Sequence, residues 1–164
     1  MTGASPHAPM QGAASTEDTR DAVREWLRRN QPSAELVEVG CIGLCSEEPI
    51  LDVRLPGRSK LTFSKVSAPL VPELLSNLFS KTPDPARYPV LGQSREASAL
   101  PWDNVPFLED HPFFRIQTRR VLRNCGIIDP TSIDEYLARG GYKAFAKTLH
   151  TPSIIARAMN APGS

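Results

Sequence analysis

The chain has 164 residues, with 19 lysines and arginines against 18 aspartates and glutamates, and its formal net charge is +1. That length suits one domain or one small domain with an appendage, and the balanced charge argues against a dedicated nucleic-acid-binding protein. No apolar run is long enough for a membrane-spanning helix, the first residues do not resemble a secretory signal, and three cysteines are too few for a disulfide scaffold, so we expect a cytoplasmic protein.

The first part of the chain predicts a disordered start and then a helix. Residues 1–15 are small and polar and show no apolar period, which is typical of disorder. Ser15 resembles a helix cap, and apolar residues then recur at i, i+3 and i+4, which predicts a helix over residues 16–29. A short strand is expected at residues 35–39, and it leads directly into a glycine-bearing loop that carries two cysteines.

A hairpin and a second helix are expected next. Apolar residues alternate over residues 50–55 and 60–66, and the Pro56-Gly57 turn between these runs predicts an antiparallel hairpin. An apolar stripe from Leu70 to Phe79 predicts the second helix. The order helix, strand, cysteine loop, hairpin and helix therefore describes an α/β domain over residues 16–81.

The composition changes after this domain. Five prolines punctuate residues 82–111 without a sustained apolar period, which is typical of a linker or an extended arm. Residues 112–160 predict a small helical segment with turns between its helices. Four helices are expected in it. The first carries the apolar residues of 113–122, and the other three begin after Pro130, after Gly141 and after Thr151.

Cys41 and Cys45 are the residues most suggestive of chemistry. Thiolates four residues apart on a glycine-bearing loop can both face one metal ion. Structural zinc sites and iron–sulfur clusters normally take four protein ligands, and only two cysteines lie here, with Cys125 distant in sequence. Structural cysteines, half of a metal site and a redox pair therefore all remain open.

Two segments resemble a known family. The first, GCIGLCSEEPILDV, resembles the second cysteine pair of thioredoxin-like [2Fe-2S] ferredoxin domains. The second, FFRIQTRRVLRNCGIIDPTSIDEYLARGGYKAFAKTL, resembles a segment of NADH-binding flavoprotein subunits. These include the large NADH-binding subunit of respiratory complex I and the β-subunits of NAD-linked hydrogenases and formate dehydrogenases. The resemblance covers residues 12–155 and implies a shortened thioredoxin-like domain of ferredoxin type.

The resemblance implies a cofactor and its ligands. It assigns Cys41 and Cys45 to a [2Fe-2S] cluster that receives electrons from NADH by way of flavin. The ligand set is incomplete, because the family's first cysteine pair is missing and His7 lies near where one of its members would fall. No catalytic residue is assigned. FMN and NADH are expected only in a longer chain or a partner, because the family's glycine-rich flavin loop would begin near the final residues, MNAPGS.

The leading hypothesis is the N-terminal part, or a truncated form, of a NADH:acceptor oxidoreductase flavoprotein subunit. Such a chain would contribute to electron transfer and dock with other subunits of a redox complex, and by itself it would not oxidise NADH. The alternative is a cluster-free thioredoxin-like interaction module. A third hypothesis is a cluster shared between two copies of the chain, each of which supplies Cys41 and Cys45.

Overall fold

A computed structural model describes residues 15–31 and 33–150. The described residues belong to two compact units. The first unit contains residues 15–31, 33–36 and 43–119, and the second contains residues 37–42 and 120–150. The prediction of disorder for residues 1–14, the position of His7 and the helix expected after Thr151 lie outside the described residues.

A three-stranded antiparallel sheet forms the centre of the first unit. Its strands are β1 (Leu51–Val53), β2 (Leu61–Phe63) and β3 (Val90–Gln93), in the order β1-β2-β3. β1 and β2 are the predicted hairpin, with Leu51 opposite Phe63, so that prediction is confirmed although both strands are shorter than expected. β2 lies between the other two strands, and all three of its residues are buried.

Two helices complete the core of the first unit. The helix α1 (Thr16–Asn30) begins where predicted, and its first turn is capped by the Ser15 hydroxyl, which accepts a hydrogen bond from a backbone N–H. The helix α2 (Val71–Leu78) follows a single 3₁₀ turn, and its apolar stripe is buried as expected. Apolar side chains from both helices and the sheet form one cluster, which comprises Val23, Val53, Leu61, Phe63, Val66, Val71, Leu74, Leu75, Leu78, Tyr88, Trp102 and Val105.

The proline-rich segment contributes to this core. The sequence predicts no strand in residues 82–111, yet they contain β3, and Tyr88, Trp102 and Val105 within them are buried. The Gln93 side chain holds the segment in place from inside the core. Its amide nitrogen donates to the carbonyl oxygens of Trp102 and Val105 at 2.9 and 2.7 Å, and its oxygen accepts from the Trp102 N–H at 2.6 Å.

A polar cluster lies beside β3 at the surface. The Glu96 carboxylate accepts a hydrogen bond from the Ser94 hydroxyl and two from the Arg54 guanidinium, at 2.9 and 3.0 Å. The Ser94 hydrogen bond is the principal reason that the pKa of Glu96 is lowered, and the positive charge of Arg54 acts in the same direction.

The prediction of a strand at residues 35–39 is wrong. These residues form no strand, and Val37 and Val39 are 43% and 42% exposed. Local alternation does not make a strand unless a neighbouring strand supplies hydrogen-bond partners, and in the part of the chain that the structure describes no strand pairs with this segment.

The helical segment is partly as predicted. The helices α3 (Ile133–Ala138) and α4 (Lys143–Leu149) are both present. The prediction of a helix over residues 113–122 is wrong, because this stretch forms turns and irregular backbone. Ile116 and Val121 are 80% and 93% exposed, so its apolar pattern has no buried face to stabilise a helix.

The predicted α/β class is confirmed by the helices and the small antiparallel sheet. The helix–hairpin–helix order of the first unit is consistent with a small thioredoxin-like domain. The domain boundaries given by sequence analysis stay predictions. None of the helices within the described ranges has the length and hydropathy needed to cross a bilayer.

Candidate metal-binding site in the cysteine loop

Residues 40–49, which we call the cysteine loop, take their shape from a glycine and a 3₁₀ turn. Gly43 has a φ of +92°, a backbone conformation that residues with a side chain rarely adopt. The 3₁₀ turn Cys45–Glu47 follows, and the Glu48 N–H donates to the Cys45 carbonyl oxygen at 3.3 Å. Leu44 is buried in the first unit. Residues 43–48 of the loop therefore have a defined course around Cys45.

The second half of the loop is bound to the end of β2. The Lys65 N–H donates to the Glu47 carbonyl oxygen at 2.8 Å, and the Val66 N–H donates to the Pro49 carbonyl oxygen at 2.9 Å. The Lys65 ammonium also lies 3.5 Å from the Glu47 carboxylate. These contacts hold the 3₁₀ turn against the sheet, so the residues on it are positioned before any ligand binds.

Three side chains of the cysteine loop present potential metal ligands close together. The sulfur atoms of Cys41 and Cys45 and a carboxylate oxygen of Glu48 all lie within 4.8 Å of one another, and all three residues are exposed. Residues i and i+3 of a 3₁₀ turn project to the same side, which accounts for the pairing of Cys45 with Glu48. The structure thus brings together the two cysteines predicted to bind metal and adds a carboxylate.

The sequence pattern did not indicate Glu48 as a ligand. The only signal in the sequence was its spacing of three residues from Cys45, and that spacing has structural meaning only once the intervening backbone is known to form a 3₁₀ turn. Glu47 is one residue nearer to Cys45, but it is ion-paired with Lys65 and lies outside the metal-ligand group. The conformation of the turn therefore distinguishes two adjacent glutamates.

The donor set defines what the site could bind. Two thiolates favour thiophilic ions such as zinc and iron over magnesium or calcium, and a carboxylate oxygen is a common third ligand for zinc. A [2Fe-2S] cluster normally takes four cysteine ligands, and Cys41 and Cys45 supply half of that number. The group could therefore hold a metal and leaves at least one coordination position for another ligand.

Cys125 belongs to a different environment. It is half-buried and lines a cavity of about 420 Å³ in the second unit, together with Gly40, Pro130 and Tyr136. Gly126 follows it with a φ of +76°. Cys125 is not part of the metal-ligand group formed within the described residues.

Two acidic residues near α3 serve the helix start rather than a metal site. The Ser132 hydroxyl caps α3 by accepting from the Glu135 N–H, and the Glu135 carboxylate accepts from the Asp129 N–H at 2.8 Å. The Asp129 carboxylate accepts from the hydroxyl and the N–H of Thr131, and these hydrogen bonds lower its pKa. Both carboxylates therefore form local hydrogen bonds, Glu135 within the first turn of α3 and Asp129 just before it.

Comparison with known proteins gives a short similarity to a hydrogenase subunit. No protein-family model matches this chain. The NADP-reducing hydrogenase subunit HndC of Solidesulfovibrio fructosivorans is 52% identical over 40 residues, which are 24% of this chain and 8% of that protein. The chain therefore spans less than a tenth of the relative's length. The match supports a relationship to a subunit of a redox complex, and the fused ferredoxin-type domain stays a prediction.

Proposed function

We propose that this chain is part of an oxidoreductase subunit that works within a multisubunit NAD(P)-linked redox complex, and that the cysteine loop is its metal-binding, electron-transfer end. The observation that carries the proposal is the 52% identity over 40 residues to the NADP-reducing hydrogenase subunit. The convergence of Cys41 and Cys45 supports it, because clustered exposed thiols are the ligands that such electron carriers use.

The cysteine loop would contribute ligands, positioning and electrostatics. A [2Fe-2S] cluster, when bound, would accept and pass on one electron at a time. Cys41 and Cys45 would hold one side of it, and the hydrogen bonds to Glu47 and Pro49 would keep the loop in one geometry against the sheet. The remaining ligands would come from a partner subunit or from a second copy of this chain. Flavin and nicotinamide binding belong, in this proposal, to a longer chain or to a partner.

Anaerobic purification tests the electron-transfer proposal. The 164-residue chain, purified together with its partner subunit or as a dimer of two copies, should contain iron and acid-labile sulfide and show the visible absorbance of an iron–sulfur cluster. Cys41→Ser and Cys45→Ser should each abolish these properties, whereas Cys125→Ser should retain them, because Cys125 lies outside the metal-ligand group. A cluster content that is unchanged in both loop variants would contradict the assignment. The isolated chain should show no NADH:ferricyanide activity.

A cluster-free interaction module is the second candidate function. It is favoured by the exposed apolar side chains of the second unit, since Leu137, Phe145 and Leu149 are 48%, 61% and 64% exposed. Apolar surface of this kind commonly marks a protein–protein contact. Purified chain that lacks iron and sulfide after anaerobic preparation, yet binds a partner subunit tightly, would favour this candidate over electron transfer.

A further inference from the structure

We infer that the cavity of the second unit is a binding site for a small amphipathic organic cation, that is, an ammonium group joined to a compact apolar body. The cavity has a volume of about 420 Å³, which lies within the range of pockets that bind small organic molecules. Every described residue that lines it belongs to the second unit. The inference is independent of the electron-transfer proposal, because it uses neither Cys41 nor Cys45.

The cavity wall is largely apolar. It includes the aliphatic side chains of Ile128, Pro130 and Ile133. Tyr136 adds an aromatic ring whose position is restrained from behind, because it meets the Tyr142 ring edge-on at a centroid distance of 5.3 Å. Gly141 also lies so close that a Cβ atom there would be 2.3 Å from the Tyr136 ring. The wall therefore provides a preformed surface on which a compact apolar body can be buried.

Asp129 supplies a negative charge to the cavity wall. Its Oδ1 atom accepts hydrogen bonds from the Thr131 N–H and hydroxyl at 2.8 and 2.7 Å. These bonds fix the orientation of the carboxylate and lower its pKa, so it is ionised at neutral pH. The Oδ2 atom accepts no hydrogen bond from any residue that the structure describes. One oxygen is thus held in place while the other is available to accept from an ammonium group.

The charge of the wall selects a cation over an anion. Among the described residues that line the cavity there is no lysine, arginine or histidine, so an anionic ligand would face the Asp129 carboxylate without a compensating positive charge. An ammonium group would instead pair with Asp129, and the Tyr136 ring can add a cation–π contact. The Asn124 side chain also lines the cavity and supplies an amide oxygen that can accept from the same group.

Protection of Cys125 from alkylation tests the inference, because Cys125 lines the cavity. In the full chain carrying Cys41→Ser and Cys45→Ser, Cys125 is the remaining cysteine, and its reaction with iodoacetamide is followed by mass spectrometry. The probe is 2-phenylethylammonium, and 2-phenylethanol and phenylacetate are its neutral and anionic analogues. The ammonium should slow alkylation in a saturable manner, the alcohol should require a roughly tenfold higher concentration, and phenylacetate should not protect. Alkylation of free glutathione corrects for direct effects of the probes on the reagent.

Two matched variants assign the effect to Asp129. Asp129→Asn keeps an oxygen that can accept from Thr131 but removes the charge, so half-maximal protection should require a roughly tenfold higher ammonium concentration. Asp134→Asn is the control, since Asp134 is exposed and is not among the residues that line the cavity, and it should leave protection unchanged. Circular dichroism verifies that each variant keeps the fold.

Three results would overturn the inference. They are the absence of protection by the ammonium, equal protection by the ammonium and the alcohol, and equal effects of the two aspartate variants. The comparison of the ammonium with the alcohol leaves the cavity wall unaltered, so it measures the role of charge even if Asp129→Asn fails to fold. None of these results bears on the cluster proposed for the cysteine loop.

Discussion

Gln93→Leu tests whether the proline-rich segment is an integral part of the first unit. Gln93 is 2% exposed, and its side chain makes three hydrogen bonds to the backbone of residues 102–105. Leucine has a similar size but can make none of these bonds. The substitution therefore leaves the Trp102 N–H and two carbonyl oxygens without their side-chain partner inside the core, while changing the packed volume little.

The expected loss of stability follows from these three hydrogen bonds. A buried hydrogen bond contributes about 1 kcal/mol net, and a buried polar group left without a partner costs about 1–3 kcal/mol. The added apolar surface of leucine offsets part of the loss, so we expect the free energy of unfolding to fall by about 3–5 kcal/mol. With a urea dependence of about 2 kcal/mol per molar, the unfolding midpoint should fall by about 2 M.

Urea unfolding followed by tryptophan fluorescence measures this effect. Both tryptophans, Trp26 and Trp102, belong to the first unit, so the signal reports that unit. Gln117→Leu is the control, because the exposed Gln117 amide makes a single hydrogen bond, to the Phe113 carbonyl oxygen at 2.8 Å. The free energy of unfolding of this control should change by no more than about 0.5 kcal/mol. Equal midpoints for the two variants would refute the role of Gln93 in holding the segment.

Three further predictions concern the cysteine loop, the second unit and acid stability. Gly43→Ala should lower the free energy of unfolding by about 1–3 kcal/mol, because the φ of Gly43 is +92°. Gly40→Ala has open space around the new Cβ and should be neutral, and equal effects of the two substitutions would contradict this. Gly126→Ala should be strongly destabilising, because the new Cβ would lie 2.3 Å from the Ile42 Cγ2 atom. In a double-mutant cycle, adding Ile42→Ala should recover part of the lost stability. Strictly additive effects of the two substitutions would exclude this clash. The pKa of Glu96 is lowered in the folded chain, so ionised Glu96 stabilises the fold above its ordinary pKa of 4.5, and this stabilisation is lost as the pH falls through the lower folded pKa. Glu96→Gln should therefore make the urea midpoint less dependent on pH in the acid range. An unchanged pH dependence would refute this role of Glu96.

Local sequence patterns were sufficient for the elements whose stabilising interactions lie close together in the chain. The cap at Ser15 and the apolar spacing behind it predicted α1, and alternation on both sides of the Pro56-Gly57 turn predicted the hairpin. The apolar stripe of α2 was predicted for the same reason. In each case the residues that define the element are only a few positions apart, so the sequence alone determined its type and approximate position.

Only the tertiary structure decided which of the other patterns became regular structure. The residues of β3 joined the sheet because β2 offered a free edge, while the alternation at residues 35–39 found no partner strand within the described part of the chain. In the apolar pattern at residues 113–122, Ile116, Val121 and Leu122 remain exposed. A strand needs a neighbour, and a short helix needs a packed face, and neither requirement is visible in the segment itself.

The candidate site shows the same division. The spacing of Cys41 and Cys45 in the sequence indicated a pair of ligands, because thiolates four positions apart on a glycine-bearing loop can both face one metal ion. The addition of Glu48 and the exclusion of Glu47 depended on the 3₁₀ turn and on its hydrogen bonds to the end of β2. Side-chain direction follows from backbone dihedral angles, and distant parts of the fold determine those angles in a loop.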